Sequence, residues 1–177
     1  MSHGVDVIET RPHRRGARSR LALAGILAAI GLAASAGEGP SAPDFALAST
    51  SGSNYRLSEY RGEVVALVFW ASWCGDCRRE LERFERLRRT YGNVGLVVLG
   101  VNLDQEPERA NALAGAAGIG FPVLLDTAKD VSKTYRADDL PLIVLIDRRG
   151  EIRARHQALD EREERGLLVD LRDLIDE

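Results

Sequence analysis

The chain has 177 residues, 45% of them hydrophobic, which suits one buried core plus a short extension. Its net charge of −3 divides unevenly: residues 1–36 carry five arginines against two acids, so the remainder stands at −6 and is a poor match for a nucleic-acid backbone. The two cysteines, Cys74 and Cys77, are too few to staple a fold or to complete a four-cysteine zinc site.

Arg11, Arg14, Arg15, Arg18 and Arg20 lead into an uncharged apolar run from Leu21 to Ala36. The run is short for a membrane span, which needs about 20 residues. It ends Ala34-Ser35-Ala36, the small-x-small pattern of a signal-peptidase site. Residues 1–36 are therefore expected to be a signal peptide or an N-terminal membrane anchor with its basic end inside. Cleavage after Ala36, releasing a soluble extracytoplasmic protein, is the favoured form. Residues 37–41 read as a linker, and 42–177 as one domain.

Within that domain, Phe45–Ala48 and Asn54–Leu57 flank Ser51-Gly52-Ser53 and predict a small hairpin. Val64–Ala71 is a continuous apolar, β-branched run, which predicts a strand covered on both faces. A helix is predicted from Cys74 to Tyr91, with Leu81, Phe84, Leu87 and Tyr91 on one face. Gly92-Asn93 stops it. Val94–Val101 predicts a second buried strand. Glu106–Ala117 predicts a helix, with Pro107 suited to its first turn. Phe121–Leu125 is strand-like and Asp130–Tyr135 a short helix. Leu142–Ile146 and Glu151–His156 predict two strands joined at Asp147-Arg148-Arg149-Gly150, and Asp160–Ile175 the last helix. This order predicts an α/β fold: a central mixed sheet, helices on both faces and an N-terminal hairpin extension.

Cys74 and Cys77 fall where the first long strand meets its helix. Two intervening residues at a helix start bring the sulfurs within bonding reach, and the helix dipole favours a thiolate on the first. Cys74 is then the nucleophile, and Cys77, one turn in, resolves the mixed disulfide. A Cys-x-x-Cys spacing also occurs in zinc knuckles, but no second pair is present here. No metal or other cofactor is expected.

These segments together resemble the TlpA/ResA-type branch of the thioredoxin superfamily. The resemblance rests on Ala42-Pro43-Asp44-Phe45, Leu57–Gly62, Phe69-Trp70-Ala71-Ser72-Trp73-Cys74, Phe121–Asp126 and Leu140-Pro141 through Asp147. It covers about residues 42–176. It implies a thioredoxin-like fold and an extracytoplasmic reductase of protein disulfides, of the cytochrome c maturation type or related. It further implies a cis Pro141 beside the cysteines, with Trp73, Leu140 and Pro141 receiving the substrate and Glu80 assisting proton transfer. The implied partners are disulfide-bearing proteins and an upstream electron donor, a membrane thiol–disulfide transporter. A monomer is expected, with membrane contact only through the N-terminus.

Three features depart from thioredoxin itself. Val68 stands where a buried Asp precedes the first Cys, Asp76 stands in place of Pro, and Leu140 and Leu142 flank the cis-Pro. A thiol peroxidase of the peroxiredoxin type is the alternative reading. Its cysteine needs a Pro and a Thr seven and three residues upstream, where Leu67 and Ala71 stand instead. A copper site would need a histidine besides the pair, and downstream of the leader only His156 remains.

Overall fold

A computed structural model gives the fold and describes residues 39–157 and 160–177. The leader, its cleavage site and the start of the linker lie outside the described residues.

The elements follow the predicted order. A hairpin of β1 (Ala46–Ala48) and β2 (Asn54–Arg56) is followed by β3 (Val64–Trp70) and α1 (Cys77–Tyr91). Then come β4 (Leu96–Asn102), α2 (Pro107–Ala117), β5 (Val123–Leu125) and the short α3 (Asp130–Thr134). The closing pair β6 (Leu142–Ile146) and β7 (Ile152–His156) leads into α4 (Glu161–Asp176). Five strands form one sheet in the order β5-β4-β3-β6-β7. The β3–β4 and β4–β5 pairs are parallel, and β3–β6 and β6–β7 antiparallel, so the sheet is mixed as expected.

β3 sits at the centre because it is apolar on both sides. Val64, Ala66, Val68 and Trp70 pack with Leu81 and Phe84 of α1, Ala110 of α2, and Leu167 and Leu171 of α4. Val65, Leu67 and Phe69 point the other way, against Phe45, Leu57, Val131 and Tyr135. Three helices therefore cover one face, while the hairpin and α3 cover the other. Each fully buried Leu or Phe contributes about 1.5–3 kcal/mol by leaving water. Leu81, at 0% exposure, would cost about 2–5 kcal/mol as alanine.

Both sheet edges are partly closed. At β5, the Thr50 amide donates to the Val123 carbonyl (2.9 Å). At β7, the Ile152 amide donates to Pro40 (2.9 Å) and the Ala42 amide to Gly150 (2.9 Å). The described end of the expected linker is thus paired with the sheet. A Cβ on Gly39 would stand 2.0 Å from the Ile152 carbonyl oxygen, so only glycine permits this approach. Covered edges are a protection against strand-to-strand aggregation.

Several element boundaries differ from expectation by one or two residues. β4 begins at Leu96 because Gly92–Val94 make one 3-10 turn and Gly95 takes a left-handed φ of 103°. β5 begins after Pro122, which has no amide for a ladder and offers only its carbonyl, to Gly100.

Several polar groups are buried, and one of them fixes a loop to a helix. Glu85 is buried on α1 and accepts from Arg88 Nη2 (2.8 Å), Arg89 Nε (2.7 Å) and the Gly120 amide (2.9 Å). It ties the loop before β5 to α1. The Arg88 bond outweighs the burial, and with Gly120 and Arg89 holds the Glu85 pKa down at about 2. A depressed carboxylate stabilises the fold above its unfolded pKa, here 4.5, and loses that contribution as pH falls toward 2. The contribution is on the order of 3 kcal/mol at neutral pH. Glu85→Gln is expected to lower the urea midpoint at about pH 7 and to flatten the loss of stability between about pH 4.5 and 2. An unchanged acid limb would contradict this assignment.

Candidate active site

The two parallel strands β3 and β4 end on the same side of the sheet, and the site is built on their C-terminal ends. Beyond Trp70 the chain does not enter the helix directly. The Ser72 amide donates to Asp104 Oδ2 (2.9 Å) and the Ser72 hydroxyl to Asp104 Oδ1 (2.8 Å). Asp104 lies just after β4 and is itself fixed: Asn102 Nδ2 donates to its Oδ2 (2.7 Å), and its amide donates to Asn102 Oδ1 (3.0 Å). Both Asn102 and Asp104 are buried. The Cys74 amide donates to the Ala71 carbonyl (3.2 Å), which closes a turn over the cysteine approach.

This tether changes one expectation. α1 begins at Cys77, with Asp76 as its cap residue, and not at Cys74. Cys74 sits in the turn before the helix, half-buried, between the 64% exposed Trp73 and the open Gly75. Cys77 is at 0% exposure in the first turn. The sulfurs are bonded, with S–S 2.07 Å and Cα–Cα 5.4 Å. The first amides of α1 have no intrahelical acceptor, so they present partial positive charge where the bridge sits. Reduction therefore leaves one reachable sulfur and one sheltered behind it.

The charges around the pair are matched. Arg79 Nη2 donates to Asp76 Oδ1 (3.1 Å), and Arg78 Nε to Glu82 Oε1 (3.0 Å). Asp76 does not cap the helix with its side chain. Glu80, one turn after Cys77, is at 0% exposure. Arg83 Nη1 donates to both of its oxygens at 3.1 Å. Burial raises the Glu80 pKa above the ordinary carboxylate value, against the pull of Arg83 and Arg79. Neither Lys nor His stands between the cysteines.

The Leu140–Pro141 bond is cis, as the resemblance implied. Its position follows from register: Leu142 pairs with Phe69, so the chain continues past Trp70 and Ala71 toward the cysteine turn. Leu140 is half-buried and packs against both core clusters, and Cys74 packs against the cluster that holds Cys77. Trp73 borders a cleft of about 320 Å³ shared with Leu103, Asp104, Glu106 and Arg109. The six residues singled out in the sequence thus lie in the turn after β3, the first turns of α1 and the lead-in to β6. Asn102, Asp104 and Arg83 were not singled out. The signal available for Asp104 was a polar Asn-x-Asp run directly after an apolar strand.

Leu67 and Ala71 are buried in and just after β3, and no hydroxyl stands at the position a peroxidatic cysteine needs. A wider cleft of about 730 Å³, lined by Tyr135, Arg136, Arg155 and His156 among others, contains neither cysteine. Among the described residues there is no cluster suited to a metal ion, and no helix is long and apolar enough to cross a membrane.

A buried cysteine bonded to a reachable one three residues before it has the geometry of a thiol–disulfide exchange centre. Comparison with known proteins agrees. The AhpC/TSA family profile matches residues 39–155. The thiol–disulfide oxidoreductase ResA of Geobacillus kaustophilus is 36% identical over 115 residues, which is 65% of this chain and 66% of that protein. The chain thus matches about two thirds of that relative's length. The thioredoxin-like protein YneN of Bacillus subtilis is 34% identical over 122 residues, 67% of this chain and 71% of that one. Among solved structures, a Chlorobium tepidum protein assigned as the thiol:disulfide interchange protein DsbE superposes with a TM-score of 0.74 at 31% identity, covering 78% of this chain and 98% of the other. With profile, fold and dithiol in agreement, the chain belongs to the AhpC/TSA family as one of its thioredoxin-like members.

Proposed function

We propose that this chain is an exported protein-disulfide reductase of the ResA and DsbE kind, serving cytochrome c maturation or a related disulfide reduction. The observation that carries the reading is the Cys74–Cys77 bridge itself, with Cys74 half-buried beside an exposed tryptophan and Cys77 sealed at 0% exposure. In the reduced protein the Cys74 thiolate attacks a substrate disulfide, one S–S bond replaces another, and the first substrate thiolate leaves and takes up a proton. Cys77 gives its proton to Glu80, whose burial holds its pKa up, and attacks Cys74 Sγ. The second substrate sulfur leaves as a thiolate and takes up the proton that Glu80 received. Two electrons have passed to the substrate, and the chain is left with the bridge that the structure contains.

Trp73, Leu140 and Pro141 receive the substrate segment, which adds along the backbone of Leu140 as an extra strand. An upstream dithiol, supplied by a membrane thiol–disulfide transporter, restores the reduced state, and no cofactor is needed because the two thiols hold both electrons. The protein acts as a monomer outside the cytoplasm, as the basic leader and the Ala34-Ser35-Ala36 pattern support, with the cleaved soluble form favoured over an anchored one.

The direction of exchange follows from charge. A strong oxidant needs its thiolate heavily stabilised. Here Arg78, Arg79 and Arg83 are each engaged by a carboxylate, so the arginines next to the pair are matched by acids. The disulfide is then comparatively stable and the dithiol a good donor. An equilibrium titration in glutathione buffers tests this.

A further inference from the structure

Arg83 serves two carboxylates at once. Its Nη1 holds both oxygens of Glu80 at 3.1 Å, and its Nη2 donates to Glu164 Oε2 at 3.1 Å. Its Nε is buried and has no hydrogen-bond partner among the described residues. An arginine binding one carboxylate at full strength offers two parallel N–H groups from two nitrogens, one to each oxygen. Arg83 instead gives Glu80 one nitrogen and turns the next toward α4. The arrangement is nearly closed to water on one side only: the side chains of Glu80 and Arg83 are 0% and 13% exposed, and that of Glu164 is 38% exposed.

We propose that Glu164 of α4 is a positioning residue for the exchange reaction: by holding one arm of Arg83, it limits the positive charge that Arg83 delivers to Glu80 and so sets when Glu80 can accept a proton. The proposal rests on Glu80 as the proton acceptor for Cys77. The groups that bear on Glu80 are Arg83 and Arg79 from its own helix and Glu164 from α4. Arg79 also lowers the Glu80 pKa, and more strongly than Glu164 raises it, but it is paired with Asp76 at the surface, whereas Glu164 and Glu80 share the one Arg83 guanidinium. The signs are opposite. Glu164 raises the Glu80 pKa, both by its own charge and by dividing the guanidinium, and Arg83 lowers it. With both present, Glu80 is neither locked as a carboxylate nor left uncompensated in an apolar setting, where it would stay protonated and useless as an acceptor. The half-exposed position of Glu164 gives the buried carboxylate a surface residue through which it can be adjusted.

The test uses the intact oxidised protein for carboxyl-carbon NMR titration, with the Glu80 signal assigned through Glu80→Gln, and the reduced protein for the pH profile of disulfide reduction. Glu164→Gln removes little buried surface and is expected to lower the Glu80 pKa by about half a unit to one unit. It should move the acidic limb of the rate profile down by the same amount. Arg83→Gln is expected to move both upward. Thermal melts separate a titration effect from a folding defect, and if Arg83→Gln does not fold, Glu164→Gln decides alone. A Glu80 pKa that stays put or rises in Glu164→Gln overturns the proposal. A Glu80 pKa that falls while the rate profile stays fixed, with Glu80→Gln as active as the parent, shows that the charge relay exists but that Glu80 carries no proton. That outcome overturns the functional role and the reading it rests on.

Discussion

Cys74→Ser is expected to abolish protein-disulfide reduction, by on the order of a thousandfold or more, because it removes the proposed nucleophile. Cys77→Ser should behave differently. It keeps the reachable sulfur, so the first attack proceeds, but nothing displaces the substrate from Cys74. Covalent mixed disulfides should accumulate, one substrate per chain, and turnover should stop after the first event. The asymmetry follows from burial: Cys77 is sealed at 0% exposure in the first turn of α1, where no substrate protein can reach it. Replacing it also puts a hydroxyl in an apolar site, at a cost of about 1–3 kcal/mol, so the variant should fold but melt lower. The measurement is non-reducing mass spectrometry after mixing with a disulfide-bearing protein. Mixed disulfides through Cys77 in Cys74→Ser would reverse the assignment.

Asp104→Ala is expected to produce the second large effect, on stability and rate together. Its carboxylate accepts from the Ser72 amide, the Ser72 hydroxyl and Asn102, in a site where Asp104 is 2% exposed. Removing it strands the buried Asn102 donor and two part-buried donors of Ser72, at about 2–4 kcal/mol in total. That corresponds to a fall in Tm of roughly 6–15 °C for a domain of this size. It also releases the turn that presents Cys74. Misplacing a reacting group by about 1 Å can cost about a hundredfold, so exchange should slow by roughly tenfold to a hundredfold even at a temperature where the variant is fully folded. Stopped-flow reduction of a disulfide below the melting transition checks this. A variant that is destabilised yet exchanges at the parental rate would show that Asp104 holds the fold and not the site.

Much of this was legible in the sequence because the signals are local. The apolar run of β3 announces a doubly covered strand. The face formed by Leu81, Phe84 and Leu87 announces α1, and Pro107 opens α2 where a missing amide does no harm. The cysteine pair and Pro141 were legible through their neighbours in the chain. The illegible part is what depends on distant partners. The start of α1 was misplaced by one turn because nothing near Cys74 shows that Ser72 is tied down by a residue 32 positions away. Glu80 was visible as a charge one turn after Cys77, but its burial and its arginine were not. The link from Arg83 to Glu164 spans 81 residues and requires α4 to lie against α1. The linker's pairing with β7 was hidden for the same reason, since Gly-Pro-Ser composition reads as loose chain whether or not a sheet edge lies beside it.

Whether the Cys74–Cys77 pair donates electrons to protein disulfides, as proposed, is read from its reduction potential in glutathione buffers at neutral pH. With the arginines near the pair matched by acids, a potential at or below about −220 mV is expected, on the thioredoxin side of the scale. A value near about −120 mV, that of a dedicated disulfide donor, would contradict it.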